Sequence, residues 1–362
     1  MIIRAIGDVS VSREVSKGVG ELLHSAAESF RPDIVIGNLE VALTKEGWAA
    51  DKVSVNRSDP ANVASYKALN ADVWSIGTNH ALDWGIPGLL QTLDTLRSNG
   101  VAFVGAGKDL EEARKAESLS APDGTTVAVV NFCSTLPSGS SATERKPGVS
   151  PLRVLESVEF EAARMEEQPG SAPRMTTRPL ERDLHEAADL IAGLSASHDV
   201  VIACLHWGVA WPFLPPNQGP LADYQQVVAQ RLVDAGANVI VGTHSHSLHP
   251  IEFIGDAVVL YSLGNFLFHP SENELSDRDR RVTPSMHPIL RTGPWNDGAI
   301  MDIVVEAGVA KEVRLTPIVL DDNGEPRRAD KTEATRILER VQAQSPRVTV
   351  LATYDGEGVV TR

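Results

Sequence analysis

Short apolar runs alternate with amphipathic stretches as far as residue 250, and the two carry different periods. Residues 2–6, 33–36, 73–76, 101–104, 126–131, 200–205 and 238–241 are brief and apolar, which predicts strands. Between them lie helical patterns near 17–29, 61–69, 85–98, 181–194 and 222–234. In 85–98, Leu89, Leu90, Leu93 and Leu96 fall on one face of a helix. After residue 250 the alternation stops. Residues 252–254, 257–262, 299–306 and 312–320 read as successive strands, and a helix over 331–344 closes the chain. This order predicts an α/β protein with a mixed sheet, or two packed sheets, flanked by helices. With no fixed-period repeat and no linker, 1–362 reads as a single domain. Two stretches break the pattern and read as long insert loops. One is 136–179, rich in Ser, Pro, Gly and charge, and the other is 268–296, which carries Arg278, Arg280, Arg281, Arg291 and Trp295.

A formal net charge of −15 argues against nucleic acid or an anionic lipid surface as a partner. An anionic small substrate stays compatible with it, because a bound cation dominates its own local field. No basic apolar leader and no apolar stretch of membrane-spanning length is present, so the expectation is a cytoplasmic protein without a membrane partner. Cys133 and Cys204 make neither a disulfide framework nor a thiolate cluster.

The chemistry-bearing residues recur where predicted strands end. Gly7-Asp8 follows the first strand, Gly37-Asn38-Leu39-Glu40 the second, and Gly77-Thr78-Asn79-His80-Ala81-Leu82-Asp83 the third. Later strands end in His206-Trp207-Gly208, in Gly242-Thr243-His244-Ser245-His246 and in Ser262-Leu263-Gly264-Asn265-Phe266. On an extended segment His244 and His246 point to the same side and converge on one point. The carboxyl ends of strands are where α/β folds present ligands. A mixed oxygen and nitrogen donor set without thiolates suits Mn²⁺, Fe or Zn²⁺. Two carboxylates, an asparagine and several imidazoles exceed what one catalytic ion needs, which points to two ions sharing a carboxylate.

Taken in order, these six motifs resemble the CapA (poly-γ-glutamate biosynthesis) family, a branch of the calcineurin-like metallophosphoesterases. The resemblance implies a four-layer α/β/β/α sandwich with two divalent metal ions. Carried over by position, Asp8 and His246 bind the first ion, Asn79, His206 and His244 the second, and Glu40 bridges both. His80 is then the general acid, and from spacing Asp83 orients it. Two departures stand out: Val9-Ser10 follows Asp8 where the superfamily places a histidine, and Val209-Ala210-Trp211 stands where the family commonly has a glutamate. The resulting expectation is a hydrolase of an anionic small molecule or peptide, a phosphoester or an amide, working by metal-hydroxide attack. Arg278, Arg281, Arg291 and Trp207 are its expected substrate contacts. The alternative is a non-hydrolytic accessory protein of poly-γ-glutamate or related peptide biosynthesis.

Overall fold

The structure, a computed structural model, describes residues 1–25, 31–52, 54–210, 213, 219–269, 293–353 and 355–361. Its strands gather into two large sheets. In the first, Ile2–Ser10, Ile34–Leu39, Val73–Ser75 and Phe103–Val104 lie side by side and parallel. On its other edge Ile2–Ser10 pairs antiparallel with Asp297–Glu306, which pairs antiparallel with Val309–Leu320. In the second, Thr126–Cys133, Val200–His206, Val239–Thr243 and Ala257–Leu260 run parallel. Glu117–Ser120 and Ile251–Ile254 are its antiparallel edges. Parallel neighbours need a crossover and antiparallel ones do not. The early βα alternation therefore builds most of the parallel strands. Of the later strands, Ile251–Ile254 and Ala257–Leu260 complete the second sheet, and Asp297–Glu306 and Val309–Leu320 extend the first sheet antiparallel.

The two sheets share a core. Ile3, Ala5, Ile34 and Ile36 of the first pack in one cluster with Val129, Ile202, Val239 and Val241 of the second. The next residues along the same strands face the other way. Val35 and Trp74 meet Leu89, Leu93 and Leu96 of the helix Gly85–Ser98. Val201, Ala203 and Ile240 meet Leu184 and Ile191 of Glu181–Ser195, and Val228 and Leu232 of Asp223–Asp234. Burial on both faces is why these strands read as unbroken apolar runs. The helix Lys331–Gln344 starts at Asp330, whose side chain caps the Thr332 and Glu333 amides, and it sends Ile337, Leu338 and Val341 into the intersheet core.

A buried ion pair ties neighbouring strands of the first sheet. Arg4 is fully buried in the first strand and grips both carboxylate oxygens of Asp302, each at 2.7 Å, and it also donates to the Leu23 carbonyl. Removing one member of such a pair strands a charge in a medium that cannot solvate it. Asp302→Ala is expected to cost about 3–5 kcal/mol, read as a lower midpoint in urea unfolding with the slope unchanged.

Three expectations need correcting. The first strand does not end at Gly7-Asp8; it runs to Ser10, and its pairing slips at Asp8 against both neighbours. Such a bulge re-aims a side chain without ending the strand. Gly7 permits it, because a Cβ there would sit 1.9 Å from the Gly264 carbonyl oxygen. Residues 136–179 are not a plain loop. Val154–Glu159 and Arg174–Pro179 form an antiparallel ribbon, with the helix Ala162–Glu167 between them. The ribbon is largely exposed, and its apolar residues, such as Leu155, Val158 and Met175, are not gathered into a buried face. Nor does the helix 331–344 close the chain: Thr349–Ala352 and Gly358–Thr361 follow as a hairpin, and the latter pairs with Val309–Leu320. The signal was Asp355-Gly356 between β-branched runs. Of the second expected loop, residues 270–292 lie outside the described residues. No helix among the described residues is long and apolar enough to cross a membrane.

Candidate metal centre

The parallel strands of both sheets bring their carboxyl ends to one place. Asp8 comes from the bulge in the first strand, Glu40 directly follows Ile34–Leu39, and Asn79 and His80 lie in the turn after Val73–Ser75. From the second sheet, His206 ends Val200–His206, and His244 and His246 follow Val239–Thr243. Two groups of potential ligand atoms result, each lying within 4.8 Å of one another: Asp8, Glu40 and His246, and Glu40, His206 and His244. Glu40 belongs to both. Asn79 joins the second group, its Oδ1 lying 2.8 Å from His206 Nε2.

The histidine pair does not work as an extended segment would have it. His244 has φ 92° and His246 has φ 52°, both in the left-handed region that costs a non-glycine residue conformational energy. The rings diverge as a result, with centroids 6.1 Å apart, and flank Glu40 instead of meeting at one point. Strain of this kind persists only where the surroundings over-determine it. Here the Asp8 carboxylate accepts the His244 amide at 3.2 Å, and His246 Nδ1 lies 2.8 Å from Asn265 Oδ1. Trp295 packs on the His246 ring, centroids 4.3 Å apart.

The fit to cations rests on unmet polar atoms. Glu40 is fully buried, and neither carboxylate oxygen has a hydrogen-bond partner among the described residues. Burial, and then the neighbouring Asp8 carboxylate, push the Glu40 carboxyl well above the usual range. Burial, and then the neighbouring imidazoles, hold His206 and His244 well below theirs, which leaves neutral rings with a lone pair to offer. His244 Nδ1 is buried without a partner among the described residues. His206 Nδ1 lies 2.9 Å from Thr243 Oγ1, which leaves Nε2 facing Glu40 Oε1 at 3.5 Å. Asp8 Oδ1 accepts from Asn38 Nδ2 at 2.8 Å, and Asn38 Oδ1 accepts from Ser75 Oγ at 2.7 Å. This outer layer fixes tautomers and orientations in the way metal sites require.

Beside the ligands, His80 Nδ1 lies 2.6 Å from Asp83 Oδ2. Asp83 is fully buried and also accepts from the Asn56 amide and from Lys52 Nζ, each at 2.6 Å. Lys52 Nζ donates to the Asn79 carbonyl as well, at 2.7 Å, so one cation ties a ligand's backbone to the histidine's partner. Burial lowers the His80 imidazole against the opposing pull of Asp83. Sequence reasoning missed Lys52, because it stands in an aperiodic polar stretch far from any strand end.

The expected substrate contacts fare differently. Arg278, Arg281 and Arg291 lie outside the described residues. Trp207 is buried, stacked on Tyr261, and its indole N–H donates to the Tyr261 carbonyl at 2.9 Å. It packs the interior beneath the site and has no polar atom left for a ligand.

His249 and His269 are also buried, outside both ligand groups. Burial, reinforced by the charges of Arg340 and Arg13 respectively, pushes each imidazole down to about 4. Between that value and the ordinary 6.5 the unfolded chain holds more protons than the folded one. Their contribution is therefore complete above about pH 6.5 and is lost as pH falls towards 4. For His249 alone the loss at pH 4 is about 3 kcal/mol. Urea unfolding from pH 7 to pH 4 should show a shallower decline in His249→Asn than in the parent.

Residues 3–270 match the model of a family described as bacterial capsule synthesis protein PGA_cap. The PGA biosynthesis protein CapA of Bacillus subtilis (strain 168) is 30% identical over 73% of this chain and 62% of its own length. A probable polyglutamine synthesis accessory protein of Mycobacterium tuberculosis is 30% identical over 68% of this chain and 58% of its own. An uncharacterized protein of Sinorhizobium fredii, y4sH, is 25% identical over 98% of this chain and 92% of its own. The chain thus spans about three-fifths of the length of the first two relatives. With the family model matching about three-quarters of its residues, the chain belongs to the bacterial capsule synthesis protein PGA_cap family.

Proposed function

We propose that the chain is a dinuclear metal-dependent hydrolase of an anionic small molecule or peptide, built as one α/β/β/α domain. The four-layer reading is supported by one apolar cluster between the sheets and one outside each, where helices cover the strands. The single observation that carries the activity is Glu40: a buried carboxylate with no donor, shared by two groups of potential ligands. Asp8, Glu40 and His246 would hold one ion, and Glu40, Asn79, His206 and His244 the other. Two such ions would supply an activated water and Lewis-acid polarisation of a substrate oxygen. His80, carrying a proton on each ring nitrogen with Nδ1–H held by Asp83, would give its Nε2 proton to the departing group and be left as the neutral Nδ1–H ring. Lys52 keeps Asp83 in place for that task, and the anionic substrate class rests on the arginines of 268–296.

The test is metal analysis of the purified protein, with a hydrolysis screen over phosphoesters and γ-glutamyl amides in Mn²⁺, Fe²⁺ and Zn²⁺. Two bound ions and turnover in one substrate class are expected. Absence of bound metal under all three conditions overturns the reading. The relatives' names favour a second reading, an accessory role in poly-γ-glutamate synthesis without hydrolysis. Two ions, no turnover and measurable binding of poly-γ-glutamate would select it.

A further inference from the structure

Far from the strand-end ligands in sequence, the C-terminal helix carries a second set of buried polar atoms with nothing to bond. Asp297 is buried and takes both Arg336 and Arg340, with Arg336 Nη2 at 2.8 Å from Oδ1 and Arg340 Nη1 at 2.8 Å from Oδ2. One carboxylate so faces two guanidinium groups, of which Arg336 is half exposed and also feels Glu333 and Asp330. Arg340 spends only Nη1 on this contact. Its Nε and Nη2 are shut off from solvent and have no partner among the described residues.

That free edge is the planar fork that matches an oxyanion. Elsewhere in this chain the same edge is filled by a carboxylate. Arg4 Nε and Nη2 close on Asp302 at 2.7 Å each, and Arg153 Nε and Nη2 close on Asp183 at 2.7 and 2.6 Å. At Arg340 no carboxylate among the described residues meets the Nε–Nη2 edge, Asp297 being taken by Nη1. His249, 1% exposed, has both ring nitrogens unpartnered among the described residues, and so has Gln344 Oε1, one helical turn beyond Arg340. The two segments are held together: Ser345 Oγ accepts the Ile251 amide at 2.9 Å, two residues beyond His249. The Arg340 charge is also close enough to depress the His249 imidazole.

We propose that the Nε–Nη2 edge of Arg340 is a binding site for a small oxyanion, a carboxylate or a phosphate. An oxyanion fits this edge, since it accepts both buried N–H groups of Arg340 at once. Arg340 lies outside residues 3–270, so the site belongs to the C-terminal helix and not to the segment matched by the family.

The test uses metal-stripped full-length protein in chelator, so its outcome is independent of the metal reading. Thermal unfolding is followed while acetate or phosphate replaces chloride at fixed ionic strength, for the parent and for Arg340→Lys, which keeps the charge towards Asp297 and loses the fork. The parent is expected to gain roughly 1–2 °C at ten times the dissociation constant of the anion that binds, and Arg340→Lys to gain nothing. A response to acetate alone identifies a carboxylate, and one to phosphate alone a phosphoryl group. The responding anion should then appear in crystals within hydrogen-bond distance of Nε and Nη2. No response in the parent, equal responses in both proteins, or an anion located elsewhere each overturns the proposal.

Discussion

Glu40→Gln is expected to empty the centre of both ions at once while leaving the metal-free protein at least as stable as the parent. The side chain keeps its volume and loses its charge. Its two oxygens are buried, lack donors and belong to both ligand groups, so no other ligand substitutes for it. Changing a group that only supports a ligand typically costs 10–100-fold in affinity, and loss of the shared ligand should exceed about 100-fold for each ion. Stability should move the other way. Asp8 and burial already disfavour a charged Glu40, and the amide removes that penalty without opening a cavity. Metal content by mass spectrometry, together with thermal unfolding in chelator, reads both effects. Two tightly held ions in the variant would refute the shared role. Joint loss of metal and fold would show that Glu40 is structural.

His80→Ala should separate chemistry from binding. A positioned proton donor contributes about 10²–10⁴-fold to turnover, and His80 belongs to neither ligand group. The expected result is a fall in kcat of that size with both ions retained. Asp83→Asn should also lower kcat with the ions retained, because the amide keeps one of the two accepting oxygens and no longer balances the charge of the protonated His80 ring. Equal loss of metal and turnover in His80→Ala would remove it from the proton-donating role.

The parts of this molecule legible in the sequence are those where local pattern and global burial agree. The helix Gly85–Ser98 was readable to the residue because Leu89, Leu93 and Leu96 repeat at the helical period and all three are buried. The helix Lys331–Gln344 was equally clear, with Asp330 and Glu333 marking its start. The ligands stood out because each follows an apolar run that ends abruptly. What stayed hidden depends on contacts between distant segments. Nothing local to Lys52 says that it reaches Asn79 and Asp83, and nothing local to Asp8 says that its strand bulges and continues to Ser10. Trp207 misled for the opposite reason. Its place after His206 reads as a pocket wall, whereas the second sheet and Tyr261 enclose it.

The centre draws Asp8, Glu40 and Asn79 from one sheet and His206, His244 and His246 from the other, across more than 120 residues of sequence. Neither sheet alone carries a complete donor set. A partly folded chain, with one half formed and the other not, therefore has nothing better than isolated imidazoles or carboxylates to offer an ion. Ions held by the full set would stabilise only the docked pair of sheets, by mass action. The cation pair would then act as a late checkpoint on assembly, rewarding only chains in which the most distant contacts have already formed.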